Sequence, residues 1–155
     1  QKALESFKGV KRRFEYHINN ENRVYIDDYA HHPSEIDACV GSVKQLYPNS
    51  RITGVFQPHL YSRTRDFADD FAHSLESLHE LLLMEIYPAR EEPIEDVSSS
   101  MLLDKIRMVN KKLCEREDVI DEVLRLDPEV LLTLGAGDID KLVTPLKNAL
   151  NKKDE

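Results

Sequence analysis

The residues best equipped for chemistry lie in one short stretch, Asp27 to His32, which reads Asp-Asp-Tyr-Ala-His-His and is followed by Pro33. Carboxylates and imidazoles serve in acid–base catalysis, in metal binding and in contacts with phosphate or ribose groups. A connection without a function is more simply built from glycine, serine or asparagine. The stretch therefore predicts a ligand site rather than a plain turn.

The residues alone leave the ligand of this stretch open. Together with His59, its side chains could hold zinc or manganese, although adjacent histidines rarely bind one ion and the helical His-x-x-x-His spacing is absent. The acids could instead face a ribose or Mg²⁺ and the imidazoles a phosphate or carboxylate, beside the free amides of a helix N-terminus. In a purely structural alternative, Asp28 caps the turn and one histidine packs under Pro33. We expect at least one of the two histidines to be structural.

A second dense polar stretch, Gln57 to Arg65, also separates a predicted strand from a predicted helix. Arg63 is its candidate for binding a carboxylate, because a guanidinium can make two parallel charge-assisted hydrogen bonds. The alternative is a surface ion pair with Asp66 or Asp70. We expect the acidic pairs Asp69-Asp70 and Glu91-Glu92 to be solvated.

A third stretch, Gly135 to Asp138, reads Gly-Ala-Gly-Asp and lacks the third glycine of the dinucleotide fingerprint. Its glycines permit a tight turn, and Asp138 is expected to cap the next helix. The chain contains no Gly-x-x-x-x-Gly-Lys-Ser/Thr loop for a triphosphate and no Gly-x-Ser-x-Gly elbow. It therefore cannot bind a triphosphate in the P-loop manner, and nucleophilic acyl transfer has no candidate.

Hydrophobic periodicity predicts the elements that position these stretches. Alternation from Phe14 to Ile18 predicts a strand, and a turn through Asn19 to Asn22 joins it to a second strand, Val24 to Asp27, as a hairpin. Helices and strands then alternate, over Ile36–Tyr47 (helix), Arg51–Phe56 (strand), Phe67–Leu78 (helix), Leu81–Tyr87 (strand), Ser98 to about Val109 (helix), Lys112–Cys114 (strand), Val119–Leu124 (helix), Glu129–Leu134 (strand) and Ile139–Leu150 (helix).

This order predicts an α/β fold, a Rossmann-like doubly wound, mostly parallel sheet of about six strands with one antiparallel edge strand. Ligands of such sheets bind outside the carboxyl ends of the strands. The three polar stretches, and a fourth from Tyr87 to Glu92, all follow predicted strands. We therefore expect them to form one surface.

The chain has 155 residues and a formal net charge of −8, which suits one domain and argues against an extended nucleic-acid surface. It shows no signal-peptide pattern and no apolar run near the roughly 20 residues of a membrane span, so we expect a cytoplasmic protein without membrane contact. Cys39 and Cys114 lack paired spacing and are expected to be reduced core residues. The missing initial Met and the basic segment before the first strand suggest a piece of a longer chain.

These motifs together resemble the C-terminal domain of the Mur ligase family, and the double histidine points to the members that add L-alanine. The motifs that carry the resemblance are Asp27 to Pro33, Phe56 to His59 with Tyr61 and Arg63 to Arg65, and Gly135 to Ile139. Gly9 to Glu15 is similar to the segment that joins the central and C-terminal domains of the family. The resemblance implies that residues 1–13 are the tail of this linker and that residues 14–155 form the domain that binds the amino acid and closes over ATP.

The resemblance further implies an ATP-dependent ligase of peptidoglycan synthesis that acts on UDP-N-acetylmuramate. The sugar carboxylate attacks ATP to give an acyl phosphate, and the amino group of L-alanine displaces phosphate. The family's P-loop and Mg²⁺ ligands lie in the central domain, so this chain would hold no metal and would be inert by itself. It would need the N-terminal and central domains of the same ligase.

The resemblance also assigns roles to residues of this chain. Arg13 would reach the nucleotide phosphates and Asp28 the ribose side of ATP, and Arg63 would bind the carboxylate of L-alanine. His31 would be catalytic. The L-alanine pocket would be lined by Tyr29, His31, His59 and Arg63. Leu60 stands where the family often has arginine, which puts a second cation on the alanine side in doubt.

Two other interpretations compete with this one. The first is a stand-alone nucleotide- or metabolite-binding α/β module that uses the same loops without catalysis. The second is a receiver-like phosphoacceptor domain, suggested by two acids after an early strand. That rival fits poorly, because Gln57 and Gly135 stand where it needs an acceptor aspartate and a lysine.

Overall fold

The computed structural model describes residues 10–154, whose strands and helices alternate after an initial hairpin. Residues 1–9, including most of the predicted linker tail, lie outside the described residues, as does Glu155. The strands are β1 (Glu15–Asn19), β2 (Val24–Asp28), β3 (Ile52–Phe56), β4 (Glu80–Leu83), β5 (Lys111–Leu113) and β6 (Val130–Leu134). The helices are α1 (Pro33–Leu46), α2 (Tyr61–Asp66), α3 (Ala68–Leu75), α4 (Ser99–Lys105), α5 (Val119–Leu126) and α6 (Asp140–Asp154).

The six strands form one sheet in the order β1-β2-β6-β3-β4-β5. β1 is antiparallel to β2 and forms one edge, and all other neighbours are parallel. This confirms the predicted fold class, including the hairpin. Because β6 is inserted between β2 and β3, the loops that follow these three strands are neighbours at one edge of the sheet.

Both faces of the sheet are covered, as the doubly wound prediction requires. Ile26 of β2 and Leu132 of β6 belong to a core shared with α1, α3 and α4. Tyr25 and Leu131, one position earlier on the same strands, belong to a second core shared with α5 and α6. Successive side chains of a strand point to opposite faces, so central strands with two covered faces are largely apolar.

The predicted strand from Leu81 to Tyr87 is too long. Regular pairing of β4 ends at Leu83, which lies opposite Leu113 of β5. The chain then bends, and the N–H of Tyr87 donates to the carbonyl of Pro58. Tyr87 is thereby brought against the loop after β3.

The helix predicted to reach Val109 ends at Lys105. Ser98 begins it as expected, because its hydroxyl accepts a hydrogen bond from the N–H of Met101. At its other end the ammonium group of Lys111 donates to the carbonyls of Leu103 and Ile106. A side chain from the following strand therefore satisfies the final carbonyls and ends the helix early.

The structure also bears on the cysteines and on the length of the helices. Cys39 and Cys114 are both buried and free, as predicted. Within residues 10–154, every helix is too short or too polar to cross a bilayer.

Candidate functional site

The loops after β2, β3, β4 and β6 meet at one edge of the sheet, as the sequence predicts. The ring of His31, from the loop after β2, lies 6.2 Å from the ring of His59, from the loop after β3. The ring of His59 is stacked on that of Tyr87, from the loop after β4, at 5.8 Å. The site is thus an aromatic and imidazole surface contributed by three separate loops.

Asp27 is a structural member of this edge. Its side chain is 1% exposed, and its carboxylate accepts hydrogen bonds from Nε of Arg12 at 2.9 Å and from the hydroxyl of Thr133 at 2.6 Å. Arg12 also donates to the carbonyl of Gly135 at 2.6 Å and lies over the ring of Tyr29 at 5.2 Å. Asp27 and Arg12 therefore connect the entry segment to β2 and to the loop after β6.

Asp28 is engaged by the backbone around it. One carboxylate oxygen accepts from the N–H of Phe14 at 2.7 Å and the other from the N–H of Ala30 at 2.8 Å. Burial raises the pKa of Asp28 above its ordinary value, although both N–H groups favour the ionised form. Asp28 does cap the turn, as the structural alternative predicts, and each oxygen keeps a lone pair for a ligand hydroxyl.

The two histidines of the first stretch have different surroundings. Nδ1 of His32 lies 3.0 Å from the hydroxyl of Ser34, and its ring packs edge-on against Phe67 at 4.7 Å. His32 immediately precedes α1, which begins at Pro33. It is therefore the structural histidine that the sequence leads us to expect, packed against Phe67.

His31 faces the shared surface instead. Its ring lies 5.1 Å from that of Tyr29 in an edge-on arrangement, and 24% of its side chain is exposed. Nδ1 lies 2.9 Å from the carbonyl oxygen of Tyr29 and 3.2 Å from a carboxylate oxygen of Glu35. His31 is thus held through one ring nitrogen and is accessible to a ligand.

Arg63 points to the same surface. Nη1 of Arg63 lies 3.3 Å from Nδ1 of His59, whereas the nearby Asp66 pairs with Arg65 at 2.7 Å. Within the described residues Arg63 forms no ion pair with Asp66 or Asp70, so the predicted surface pair is wrong. Its guanidinium remains available for an anionic ligand.

The environment of His59 keeps this imidazole neutral. Burial lowers the pKa of His59 most, and the positive charges of Arg63 and His31 lower it further, while Glu91 opposes them. A neutral imidazole beside a guanidinium adds no second positive charge to this surface.

The stretch from Gln57 to Arg65 is not wholly a loop, because α2 begins at Tyr61. The residue before it, Leu60, has φ +73° and ψ 133°, a strained conformation for a residue with a side chain. Its N–H donates to the carbonyl of Tyr87, and its carbonyl accepts from the N–H and the hydroxyl of Thr64. These bonds hold His59 and Arg63 on either side of a fixed bend.

Glu91 remains partly exposed, but it is not merely a solvated acid. Its carboxylate accepts from the N–H of Ser62 at 2.9 Å and from the hydroxyl of the same residue. These bonds outweigh the effect of burial and lower the pKa of Glu91. An anionic side chain at the first turn of α2 stabilises that helix end, so the loop after β4 supports the loop after β3.

The Gly135 to Asp138 stretch forms the tight turn that was predicted. Gly135 has φ +140°, which favours glycine, and a Cβ on Gly137 would lie 2.4 Å from Oε1 of Gln57. Asp138 does not act as the expected side-chain cap. Its carboxylate accepts from Nε2 of Gln57 at 2.9 Å and pairs with Arg116.

Arg13 is an exposed cation of the entry segment. Its positive charge acts on the carboxylates of both Asp28 and Glu35, which places it at the border of the site. Among residues 10–154 no group of three or more His, Cys, Asp and Glu side chains is arranged to hold a metal ion.

Residues 12–137 match the family described as Mur ligase, glutamate ligase domain. The chain belongs to the Mur ligase family. The match includes all the candidate site residues, from Arg13 to Arg63, and ends within the Gly135 to Asp138 turn.

Relatives of known name place the chain within the Mur ligases. It is 54% identical to UDP-N-acetylmuramate–L-alanine ligase of Flavobacterium psychrophilum over 98% of this chain and 34% of that protein. It is 52% identical to the ligase of the same name from Parabacteroides distasonis, over 99% of this chain and 33% of that protein. The chain therefore spans about one third of the length of the curated relatives it matches.

Solved Mur ligase structures agree with the fold. UDP-N-acetylmuramate–alanine ligase of Thermotoga maritima superposes with a TM-score of 0.77 at 27% identity, over 98% of this chain and 33% of that one. A domain from a related ligase of Haemophilus ducreyi, 19% identical, superposes with a TM-score of 0.66 over 89% of this chain and 99% of that one. The second likeness shows the fold alone, in a structure of similar extent.

Sequence reasoning missed three residues that support this Mur ligase site. They are Glu35, Tyr87 and Glu91. Glu35 had a local signal, since it stands three residues after His32 at the spacing of a helix capping box. Tyr87 and Glu91 belong to the fourth polar stretch that was expected at this surface, but no local signal identified their contacts, because their partners lie some 28 residues away in sequence.

Proposed function

We propose that this chain is the C-terminal domain of an ATP-dependent ligase that joins L-alanine to UDP-N-acetylmuramate in peptidoglycan synthesis. The observation that carries the proposal is the meeting of Tyr29, His31, His59 and Arg63 on one surface, although they come from different loops. The identity with two alanine-adding ligases over almost the whole chain supports it.

The proposed L-alanine pocket matches the charges of a small zwitterion. The guanidinium of Arg63 binds the carboxylate with two parallel charge-assisted hydrogen bonds. His31 faces the amino group as the catalytic residue, and the rings of Tyr29 and His59 form the walls. A neutral His59 leaves Arg63 as the main cation of this pocket, which suits one carboxylate.

The proposed ATP contacts lie on the side of the entry segment. The exposed Arg13 reaches the phosphates, and Asp28 accepts a ribose hydroxyl through a free lone pair. ATP supplies the phosphoryl group that activates the sugar carboxylate. We assign Mg²⁺ mainly to the central domain of the ligase, where the family resemblance places its ligands.

The domain boundary follows from the same proposal. Residues 1–13 are the end of the linker from the central domain, and residues 14–155 are the closing domain. Its partners are the N-terminal and central domains of the same ligase, and it contacts neither nucleic acid nor membrane. Closure excludes water, which would otherwise hydrolyse the acyl phosphate. The nucleotide substrates are those of the cytoplasm, and we place the enzyme there.

The test is phosphate release by the complete ligase that contains this chain, with Mg-ATP and UDP-N-acetylmuramate. We expect release to depend on added L-alanine and to be much weaker with glutamate, whose longer acidic side chain has no second cation to meet it. Glycine and serine are measured in parallel. Release that is fastest with a different amino acid, or that needs none, would overturn the proposal.

A further inference from the structure

The ring of His31 has a defined pattern of donors and acceptors. Nδ1 lies 2.9 Å from the carbonyl oxygen of Tyr29. A carbonyl oxygen can only accept, so Nδ1 must carry the hydrogen, and a neutral imidazole has only one N–H group. Nε2 of the neutral ring is therefore a lone-pair acceptor. Within residues 10–154 this atom makes no hydrogen bond.

Glu35, on the first turn of α1, holds the same ring and the backbone beside it. One carboxylate oxygen accepts from the N–H of His31 at 3.0 Å and from the N–H of His32 at 3.2 Å. The same oxygen lies 3.2 Å from Nδ1 of His31. A carboxylate next to Nδ1–H favours this tautomer and stabilises the imidazolium that forms when Nε2 takes up a proton.

The other charged groups around His31 are compatible with this role. Burial raises the pKa of Glu35, but the N–H bonds and the charges of His31 and Arg13 outweigh it, so Glu35 is ionised at neutral pH. His59 faces His31 from the loop after β3 and is kept neutral, mainly by burial and then by Arg63. Tyr29 packs against the ring from its own loop. The positive charge nearest to His59 comes from Arg63, and Glu35 lies where it balances the charge that the His31 ring acquires when Nε2 takes up a proton.

We propose that Glu35 is a positioning residue that, with the carbonyl of Tyr29, fixes the Nδ1–H tautomer of His31 so that Nε2 accepts a proton from the substrate amino group. This inference rests on the proposed ligase function. The N–H bond of the ammonium group breaks and a new N–H bond forms at Nε2. The electron pair stays on the substrate nitrogen and attacks the acyl carbon, phosphate leaves with the electrons of the acyl–oxygen bond, and the second proton that the nitrogen must lose to become an amide goes to the departing phosphate.

The tautomer is tested on the chain itself, without any ligase activity. Two-bond ¹⁵N–¹H spectra of the histidine rings identify the protonated nitrogen, and His31→Gln assigns the signals by their loss. We expect Nδ1–H to dominate in the neutral ring of His31. Glu35→Gln should shift the population towards Nε2–H, while Asp37→Asn, which neutralises an exposed acid on the same helix, should leave it unchanged. A ring that is mainly Nε2–H in the unsubstituted chain would overturn the proposal.

The kinetic consequence is tested in the complete ligase. Glu35→Gln keeps an oxygen that can accept from the two backbone N–H groups but removes the charge. We expect kcat/KM for L-alanine to fall about tenfold, and its decline at acidic pH to begin about one unit lower, since a tenfold change corresponds to one pH unit. The KM for ATP of Glu35→Gln should stay as in the unsubstituted ligase. In Asp37→Asn, the decline of kcat/KM at acidic pH should also begin where it does in the unsubstituted ligase.

The outcomes distinguish a Glu35 that only caps the helix from a Glu35 that positions His31. They also distinguish a failure of the role of Glu35 from a failure of the proposed ligase function. A Glu35→Gln variant that loses stability but keeps the tautomer and the pH profile makes Glu35 a cap only and refutes the inference. A ligase without alanine-dependent turnover refutes the proposed function, whereas the ring spectra still report on Glu35 and His31. An equal effect of Asp37→Asn on the pH profile would also refute the positioning role of Glu35, because the effect would then come from the loss of any negative charge on the helix.

Discussion

At the scale of residues, the site depends on which member of each pair of similar side chains reaches the shared surface. Of the two adjacent histidines, His31 faces His59, while His32 packs on Phe67. Of the two arginines of α2, Arg63 approaches His59 at 3.3 Å, while Arg65 pairs with Asp66. Each pair supplies one candidate for function and a matched control beside it.

Arg63→Ala in the complete ligase should raise the KM for L-alanine about 100-fold and leave that for ATP within about twofold. The lost charge-assisted bonds to the carboxylate are worth about 2.7 kcal/mol, which corresponds to that factor. Steady-state kinetics with each substrate varied in turn measure both values. Arg65→Ala is the control and should change neither. An equal rise of both KM values in Arg63→Ala would indicate a defect of folding or closure instead.

His59 should make the stability of the chain depend on pH. Its pKa is below the ordinary 6.5 in the folded state, chiefly through burial and then through Arg63. As pH falls below 6.5, the unfolded chain takes up a proton at His59 before the folded chain does. The free energy of unfolding therefore decreases until the pH reaches the lower pKa of the folded state, and it stays at the reduced value below that pH.

Urea unfolding between pH 7.5 and 5 measures this effect. The free energy of unfolding should fall more steeply with decreasing pH in the unsubstituted chain than in His59→Gln, which cannot take up that proton. Parallel curves for the two proteins would show that His59 titrates alike in both states and would contradict the prediction.

At the scale of elements, the loops of the site are fastened to one another by a few buried contacts. Gln57, at the end of β3, accepts from the N–H of Ile139 and donates to Asp138, which lie before α6. Gly137 lets this turn approach Gln57 and Tyr87 closely. The relative positions of three loops therefore depend on one side chain and one missing Cβ.

Gly137→Ala should lower the free energy of unfolding by about 1–3 kcal/mol, the usual cost of forcing atoms into a packed site. The added Cβ would meet Oε1 of Gln57 at 2.4 Å and Cβ of Tyr87 at 2.7 Å. Gly41→Ala is the matched control on α1, where a Cβ meets nothing within 4 Å. It should raise the stability by about 0.5–1 kcal/mol, since alanine favours helix. Urea unfolding compares both variants with the unsubstituted chain, and equal destabilisation in both would contradict the packing argument.

At the scale of the whole molecule, the candidate site is one open surface, against which we propose that the other domains of the ligase close. The acids, imidazoles and guanidinium lie at the carboxyl edge of the sheet. They come from segments that follow several different strands, so no single strand or helix supplies the surface. A surface of this kind can orient an amino acid. It has no loop for cradling a triphosphate among its residues.

The chain by itself should therefore release no phosphate from Mg-ATP above background, with or without L-alanine and UDP-N-acetylmuramate. A phosphate-release assay on the purified chain measures this, and the complete ligase assayed at the same concentration is the positive control. Clear turnover by the chain alone would refute the division of labour proposed here.

The sequence by itself determined the elements and the locations of the polar stretches. Apolar periodicity is local, so it predicted the hairpin, the alternation of strands and helices and the parallel sheet. Because each polar stretch directly follows a strand, their meeting at the carboxyl edge could also be predicted. The resemblance of Asp27 to Pro33 to a known family added the expected roles of single residues.

Only the tertiary structure decided which side chains support the site. The insertion of β6 between β2 and β3, the stacking of Tyr87 on His59 and the bonding of Glu91 to Ser62 all join residues distant in sequence. The helix expected to reach Val109 ended early because the side chain of Lys111, on the next strand, binds its final carbonyls, a contact that apolar periodicity does not report. Such contacts depend on how elements pack in three dimensions, and a one-dimensional pattern of residue types does not specify them.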